Sequence, residues 1–147
     1  MNQNSGLDPS IWGPHFWFFL HTISLTYPKR PNDVTKKKYY DFVQNIPMFI
    51  PIESMATNFS KILDEFPVSP YLDSRDAFIR WMHFIHNKIN EQHEKRKISL
   101  GEFYVNYYEE YKPKQVQWAE YHKWRSKIVY VVIISIILAI IFYLHNK

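Results

Sequence analysis

The chain has 147 residues, a net charge of +4 and an aromatic content of 18%, which suits one modest domain with a dense core or a stacked ligand. It contains no cysteine, and this excludes a disulfide, a thiolate nucleophile and a cysteine-ligated metal from these residues. Three glycines cannot build a glycine-rich phosphate loop, and basic residues scattered in short clusters argue against a nucleic-acid-binding stripe.

Prolines and capping residues divide the first half of the chain into helices. Residues 1–11 are largely polar and are predicted to be flexible. Pro14 suits a first helical turn and Pro28 forbids continuation, so a helix is predicted between them. Asn32 precedes a second helical segment, and prolines bound a third. The three predicted helices span about 13–27, 33–46 and 52–66.

The stretch Phe78–Asn90 has the period of an amphipathic helix, predicted over about 74–95. Its apolar stripe consists of Phe78, Met82, Ile85 and Ile89. A neighbouring row holds His83, His86, Asn87 and Asn90. This row has two interpretations: the ordinary boundary of a buried helix, or a hydrogen-bonding surface for a flat polar ligand.

His83 and His86 could also reach one metal ion, but the sequence fixes no third ligand, so no metal site is predicted.

A fifth helix is predicted over about 100–111 because Ser99 and Glu102 have the spacing of a capping box. Its tyrosines and phenylalanine are expected to pack in the core, with a protein interface as the alternative. No segment has the alternation of a strand, so the predicted class is all-α.

Residues 128–144 form an uncharged apolar run. At ~1.5 Å per residue the run spans roughly 25 Å, close to the ~30 Å hydrocarbon core of a bilayer. It predicts a single transmembrane helix, preceded by a juxtamembrane segment at 113–127 and followed by the tail 145–147. Aromatic residues suited to the membrane interface flank or end the run: Trp124, Tyr130 and Tyr143.

The orientation follows from the basic residues beside the run. Lys123, Arg125 and Lys127 precede it, and only Lys147 follows it. The positive-inside rule then predicts a C-terminal tail anchor whose N-terminal domain faces the cytosol.

Three motifs follow one another on the predicted helices: W-G-P…W…L-H…Y-P at 12–28, P-I-E-S-M-A…F at 51–59, and W…H-N-K-I-N at 81–90. In order and spacing they resemble the signatures of the Erv/ALR family of FAD-linked sulfhydryl oxidases, and the compact viral members are nearest in character. The resemblance covers about residues 12–112.

The resemblance implies a four-helix bundle with a short fifth helix, often a homodimer, that surrounds FAD. Carried over by position, the cofactor-binding residues are Trp17, His21, Tyr27, His86, Asn87, Asn90 and Lys97. Their chemistry suits a dinucleotide, because rings stack on flat heterocycles, amides and imidazoles bond ring edges and ribose, and a lysine neutralises phosphate.

The chain departs from the family pattern at the redox positions. Ile52 and Met55 stand where the family has its paired cysteines, and His83 stands at the cysteine position of the fourth helix. The chain therefore has no catalytic residue for thiol oxidation. The resemblance favours the fold, leaves FAD binding open and argues against the family's reaction.

Two functional hypotheses follow. The first is a membrane-anchored, redox-inactive structural or interaction protein, such as a minor capsid component that tethers the inner membrane of a large DNA virus particle to capsid proteins. The alternative is an FAD-binding, sulfhydryl-oxidase-like flavoprotein that uses cysteines supplied by a partner.

Overall fold

The computed structural model describes residues 7–146, apart from the side chains of residues 114–117 and 119. The part of the chain that it describes is helical and contains no strand, which confirms the predicted all-α class. The helices are α1 (Pro9–Thr26), α2 (Asp33–Asn45), α3 (Glu53–Glu65), α4 (Arg75–Gln92), α5 (Leu100–Glu109) and α6 (Lys114–His145). Short 3₁₀ turns lie at Ile46–Phe49 and Ser69–Tyr71.

Helix α1 begins earlier than the predicted residue 13. The Asp8 carboxylate accepts a hydrogen bond from the Ser10 amide at 2.8 Å, and Pro9 occupies the first helical position, where a missing N–H costs nothing. Pro14, which the sequence suggested as the start, lies inside the helix. The end of the segment predicted to be flexible is therefore helical at residues 9–11. The prediction for residues 1–6 falls outside the described residues.

The chain divides into two compact units, Met1–Tyr104 and Val105–Lys147. In the first unit, α1 packs against α4, and α2 and α3 pack against the 3₁₀ turn that links them. The predicted apolar stripe of α4 faces the core: Phe78, Met82 and Ile85 are completely buried, and Ile89 is partly buried against them. The other fully or almost fully buried apolar residues of this core are Leu20, Tyr27, Val43, Ile46, Phe59, Ile62, Leu63, Val68, Leu72 and Trp81.

Side chains from the core satisfy backbone carbonyls where helices end. The Tyr27 hydroxyl donates to the Leu72 carbonyl at 2.8 Å, and the Trp81 indole N–H donates to the Phe66 carbonyl at 3.0 Å. The Arg75 guanidinium donates to the carbonyl of Tyr27. Buried carbonyls without a partner are costly, so these bonds fix the loops between α1, α3 and α4.

The predicted capping box at the start of α5 is confirmed. Ser99 Oγ accepts a hydrogen bond from the Glu102 amide at 3.2 Å, and Glu102 Oε2 accepts one from the Ser99 amide at 2.8 Å. These bonds, with that from Arg96, hold the pKa of Glu102 below its usual range. The charged carboxylate that closes the box is thereby favoured.

The second unit contains the end of α5 and all of α6. The segments predicted separately as juxtamembrane and transmembrane form one uninterrupted helix. Its section Glu120–His145 is long and apolar enough to cross a membrane. Every described side chain in that section is exposed, so its apolar surface is not buried by any of the residues that the structure describes.

Candidate cofactor site

Helices α1 and α4 bring three of the predicted cofactor residues into one cluster. His21 Nε2 and His86 Nδ1 are 2.9 Å apart and share a hydrogen bond. The Trp17 ring stacks on the His86 ring, with centroids 4.0 Å apart and planes within 9°. Phe103, at the start of α5, closes the far side of His21 at a centroid distance of 4.5 Å. We call Trp17, His21 and His86 the Trp–His cluster.

Both imidazoles of the Trp–His cluster are neutral at pH 7. His21 is only 4% exposed. Burial, followed by the nearby His86 and His83, lowers the pKa of His21 to about 3. Burial, followed by His83 and Lys95, lowers the pKa of His86 to about 4. One ring therefore donates an N–H and the other accepts it through a free nitrogen.

Two buried polar atoms on α1 have no hydrogen-bond partner among the described residues. They are Nδ1 of His21 and the indole Nε1 of Trp12. Buried polar groups are almost always bonded, so such atoms mark places where a bound molecule would complete the pairing. A flavin dinucleotide presents donors, acceptors and flat rings, and the residues present fit it in chemistry.

Asn87 is a predicted cofactor residue whose side chain bonds to the chain itself. Its Nδ2 donates to the Ile98 carbonyl at 2.9 Å, and its Oδ1 accepts from the Ile98 amide at 3.0 Å. His83 Nε2 lies 2.9 Å from the same carbonyl, to which only a protonated Nε2 can donate. The carboxamide thus pins the loop between α4 and α5 onto α4.

We expect Asn87→Ala to lower the free energy of unfolding of the full chain by ~1–3 kcal/mol, because it removes two hydrogen bonds and leaves the partly buried Ile98 backbone groups without them. Urea unfolding followed by tryptophan fluorescence measures the effect. Asn90→Ala is the matched control, since the Asn90 side chain makes no hydrogen bond among the described residues. An equal loss of unfolding free energy in the two variants would contradict a stabilising role for the Asn87–Ile98 hydrogen bonds.

The remaining predicted residues lie apart from the Trp–His cluster in the contacts of the described chain. Tyr27 is completely buried and packs on Tyr39 and Phe78, at centroid distances of 4.5 and 5.0 Å. Lys97 pairs with the Glu91 carboxylate at 2.8 Å. The backbone carbonyl of Asn90 accepts a hydrogen bond from the Lys95 amide at 2.8 Å. Cofactor roles for these residues stay predictions.

The family's dithiol positions lie at the start of α3. Ile52 is the N-cap residue of α3 and Met55 lies in its first turn, and both side chains are half-buried. Phe59, one turn after Met55, approaches Trp17 at a centroid distance of 6.3 Å. Aliphatic side chains at these positions pack, but they carry no redox chemistry.

The metal alternative at His83 and His86 finds no support in this geometry. His83 faces the Ile98 carbonyl, and His86 bonds to His21. Within the described residues, no group of three or more histidine, cysteine or acidic side chains could hold a metal ion.

Trp12, Phe103 and Ile98 also belong to this region, although they were not among the predicted site residues. Trp12 was present in the first motif, so its indole could have been selected with Trp17. Phe103 and Ile98 have no local signal, because their roles depend on how the start of α5 returns to α4.

The chain matches the Erv1 / Alr family over residues 14–123. It is 29% identical over 97 residues to a probable FAD-linked sulfhydryl oxidase of Acanthamoeba polyphaga mimivirus, covering 65% of this chain and 68% of the relative. It is 31% identical over 89 residues to a mitochondrial FAD-linked sulfhydryl oxidase of Saccharomyces cerevisiae, covering 60% and 46%. An FAD-linked sulfhydryl oxidase of African swine fever virus is 27% identical over 109 residues, covering 74% and 89%. The chain thus spans about half of the yeast relative's length.

Solved structures agree with these relatives. The crystal structure of the yeast Erv1 core superposes with a TM-score of 0.62 at 27% identity, covering 72% of this chain and 85% of that one. The FAD binding domain of Erv1 from Saccharomyces cerevisiae gives a TM-score of 0.59 at 30% identity, covering 63% and 87%. These neighbours fit the helical fold of the first unit.

Proposed function

The chain belongs to the Erv1/Alr family, and on that premise we propose that it is a redox-inactive, membrane-anchored member that acts as a structural or interaction module. The observation that carries the proposal is the complete absence of cysteine from its 147 residues. Sulfhydryl oxidation by the family's dithiol passes through a thiolate. Ile52 and Met55 cannot form one.

The intact core of the first unit supports a role as a structural or interaction module. Phe59, Trp81 and Ile85 remain buried in a continuous core, and the apolar side chains of Ile52 and Met55 occupy the family's dithiol positions. Replacing a reactive pair by apolar side chains preserves packing while the chemistry is lost. The domain therefore keeps a defined surface for protein partners, a second copy of the chain among them.

The apolar surface of α6 supports the anchored part of the proposal. The run 128–144 is uncharged and exposed along the helix, and Lys123, Arg125 and Lys127 stand on one side of it. We propose that the run spans a bilayer with the first unit on the cytosolic side. The viral relatives suggest the setting of a large DNA virus, where the module would link an inner membrane to capsid proteins.

Oxygen consumption with dithiothreitol as substrate tests the redox part of the proposal. We expect the purified full chain in detergent to match protein-free buffer. The matched variant Ile52→Cys/Met55→Cys restores paired thiols at the start of α3. Its oxygen consumption shows whether the loss of these cysteines is by itself the reason for the lack of thiol oxidation. Turnover by the unmodified chain clearly above free flavin would overturn the proposal.

The second candidate is a flavoprotein, favoured by the unpartnered His21 Nδ1 beside the stacked Trp17 and His86 rings. These three residues would hold FAD through ring contacts and a hydrogen bond. When bound, FAD would supply a two-electron acceptor for thiols brought by a partner protein.

The absorbance spectrum of the purified full chain, before and after acid release, separates the two candidates. A flavin band near one FAD per chain favours the flavoprotein. Flavin far below that ratio in a folded helical protein rules it out. His21→Phe is an informative companion, because it removes the unpartnered nitrogen while keeping a ring, and it should lower any flavin content.

A further inference from the structure

We propose that the base of the α6 span binds anionic lipid headgroups through three cations, Lys123, Arg125 and Lys127, which we call the basic collar. This inference rests on the proposed membrane span. It adds the chemical class of lipid that would surround the helix on its cytosolic side.

The depth of each collar residue follows from the unbroken helix. Because α6 runs without interruption from Lys114 to His145, axial positions follow the helical rise. Measured from Ile128, where the uncharged run begins, Lys127, Arg125 and Lys123 lie roughly 1.5, 4.5 and 7.5 Å towards the polar side at ~1.5 Å per residue. The headgroup region of one leaflet is about 5–8 Å thick. All three cations therefore lie at the depth of the lipid phosphates.

The collar surrounds the helix instead of occupying one face. Lys123 and Lys127 are one turn apart and share a side. Arg125 is two residues from each, about 200° around the axis at ~100° per residue, and so lies on the opposite side. A protein partner would dock on one face, whereas lipid headgroups encircle the helix. This distribution therefore favours lipid as the occupant.

The charge of the collar is not neutralised within the described chain. Lys123, Arg125 and Lys127 are in none of the ion pairs of the described residues, even though Glu120 is one turn before Lys123. Some other cations of the described chain are paired, such as Lys36 with Asp73 and Lys112 with Glu109, both at 2.7 Å. Uncompensated cations at the membrane surface attract acidic lipids. Trp124, which is 66% exposed at the same depth, fits the interface with its amphipathic ring.

A neighbouring aromatic cluster lies outside this layer. Trp118, Tyr121 and His122 contact one another, with the Trp118 and His122 rings stacked at 6.1 Å. At the same rise they lie about 9–15 Å from Ile128, beyond the headgroups of an upright helix. They are therefore excluded from the proposed lipid site.

The test measures lipid selectivity of the full chain reconstituted in phosphatidylcholine bilayers. Electron paramagnetic resonance compares spin-labelled phosphatidylserine with spin-labelled phosphatidylcholine in the motionally restricted shell around the helix. We expect phosphatidylserine to be preferred by at least about threefold at low salt. The preference should vanish near 1 M salt, where the screening length is ~3 Å.

The variant Lys123→Gln/Arg125→Gln/Lys127→Gln should lose the preference. The control Lys29→Gln/Lys37→Gln/Lys38→Gln removes the same charge from exposed positions in the first unit and should keep it. Equal association of the two lipids with the unmodified chain, or a preference that survives in the collar variant, overturns the proposal. Flotation with vesicles at alkaline pH distinguishes failure of the basic collar from failure of the membrane span. A chain that floats but shows no lipid selectivity refutes only the basic collar. A chain that does not float refutes the membrane span as well.

Discussion

Acidification from about pH 7.5 to about pH 5 is expected to lower the free energy of unfolding steeply, because His21 and His86 are buried as neutral rings. Their folded pKa values are lowered to about 3 and about 4, whereas an unfolded histidine titrates near ~6.5. Between these values the unfolded chain binds protons that the folded chain excludes. The stabilisation is therefore complete above ~6.5 and is lost as the pH falls towards the folded pKa values.

Each proton excluded by the folded state contributes a slope of up to ~1.4 kcal/mol per pH unit, so the pair contributes up to about 3 kcal/mol per pH unit. Urea unfolding at a series of pH values measures this slope. His21→Phe/His86→Phe removes both titrating rings but keeps flat rings against Trp17, and it should flatten the curve. His15→Gln, a change at an exposed position of α1, should leave the curve unchanged. A steep slope that persists in the double phenylalanine variant would assign the pH dependence to other groups.

Two arginines in the centre of the apolar run are expected to abolish stable membrane association. Ile133 and Ile137 are one turn apart and both are exposed on α6. An arginine near the centre of a span costs ~2.5–3.5 kcal/mol on insertion scales, so Ile133→Arg/Ile137→Arg removes a large part of the insertion free energy. The measurement is the fraction of full chain that floats with vesicles after alkaline extraction.

Ile133→Leu/Ile137→Leu is the matched control, because it keeps the hydrophobic character and should float like the unmodified chain. Tryptophan fluorescence and circular dichroism on each variant show whether the first unit is still folded. If the arginine variant stays with the vesicles, α6 is not the anchor, and the proposal of a membrane-anchored module is refuted.

The sequence could determine the features that depend on local interactions. Pro28 and the Ser99–Glu102 capping box act within one or two helical turns, so the corresponding ends of α1 and α5 were predictable within a few residues. The period of Phe78, Met82 and Ile85 determined which face of α4 is buried. Composition determined the missing thiol chemistry and the apolar run. The prediction placed the start of α1 near Pro14, but α1 begins at Pro9, because the Asp8 side chain caps the helix there.

The hydrogen-bond partner of each polar side chain depends on packing between segments that are far apart in the sequence. His21 and His86 are separated by 65 positions, and their 2.9 Å contact exists because α1 crosses α4 at those residues. The motif placed Asn87 beside His86, but the Asn87 carboxamide forms hydrogen bonds with the Ile98 backbone in the loop between α4 and α5. Local periodicity specifies a helix and its apolar face, whereas hydrogen-bond partners and the depression of an imidazole pKa depend on packing between distant segments. Local pattern and composition therefore specify most of the helices, the apolar run at 128–144 and the lack of a thiol. The crossing of α1 and α4 brings Trp17, His21 and His86 into one cluster.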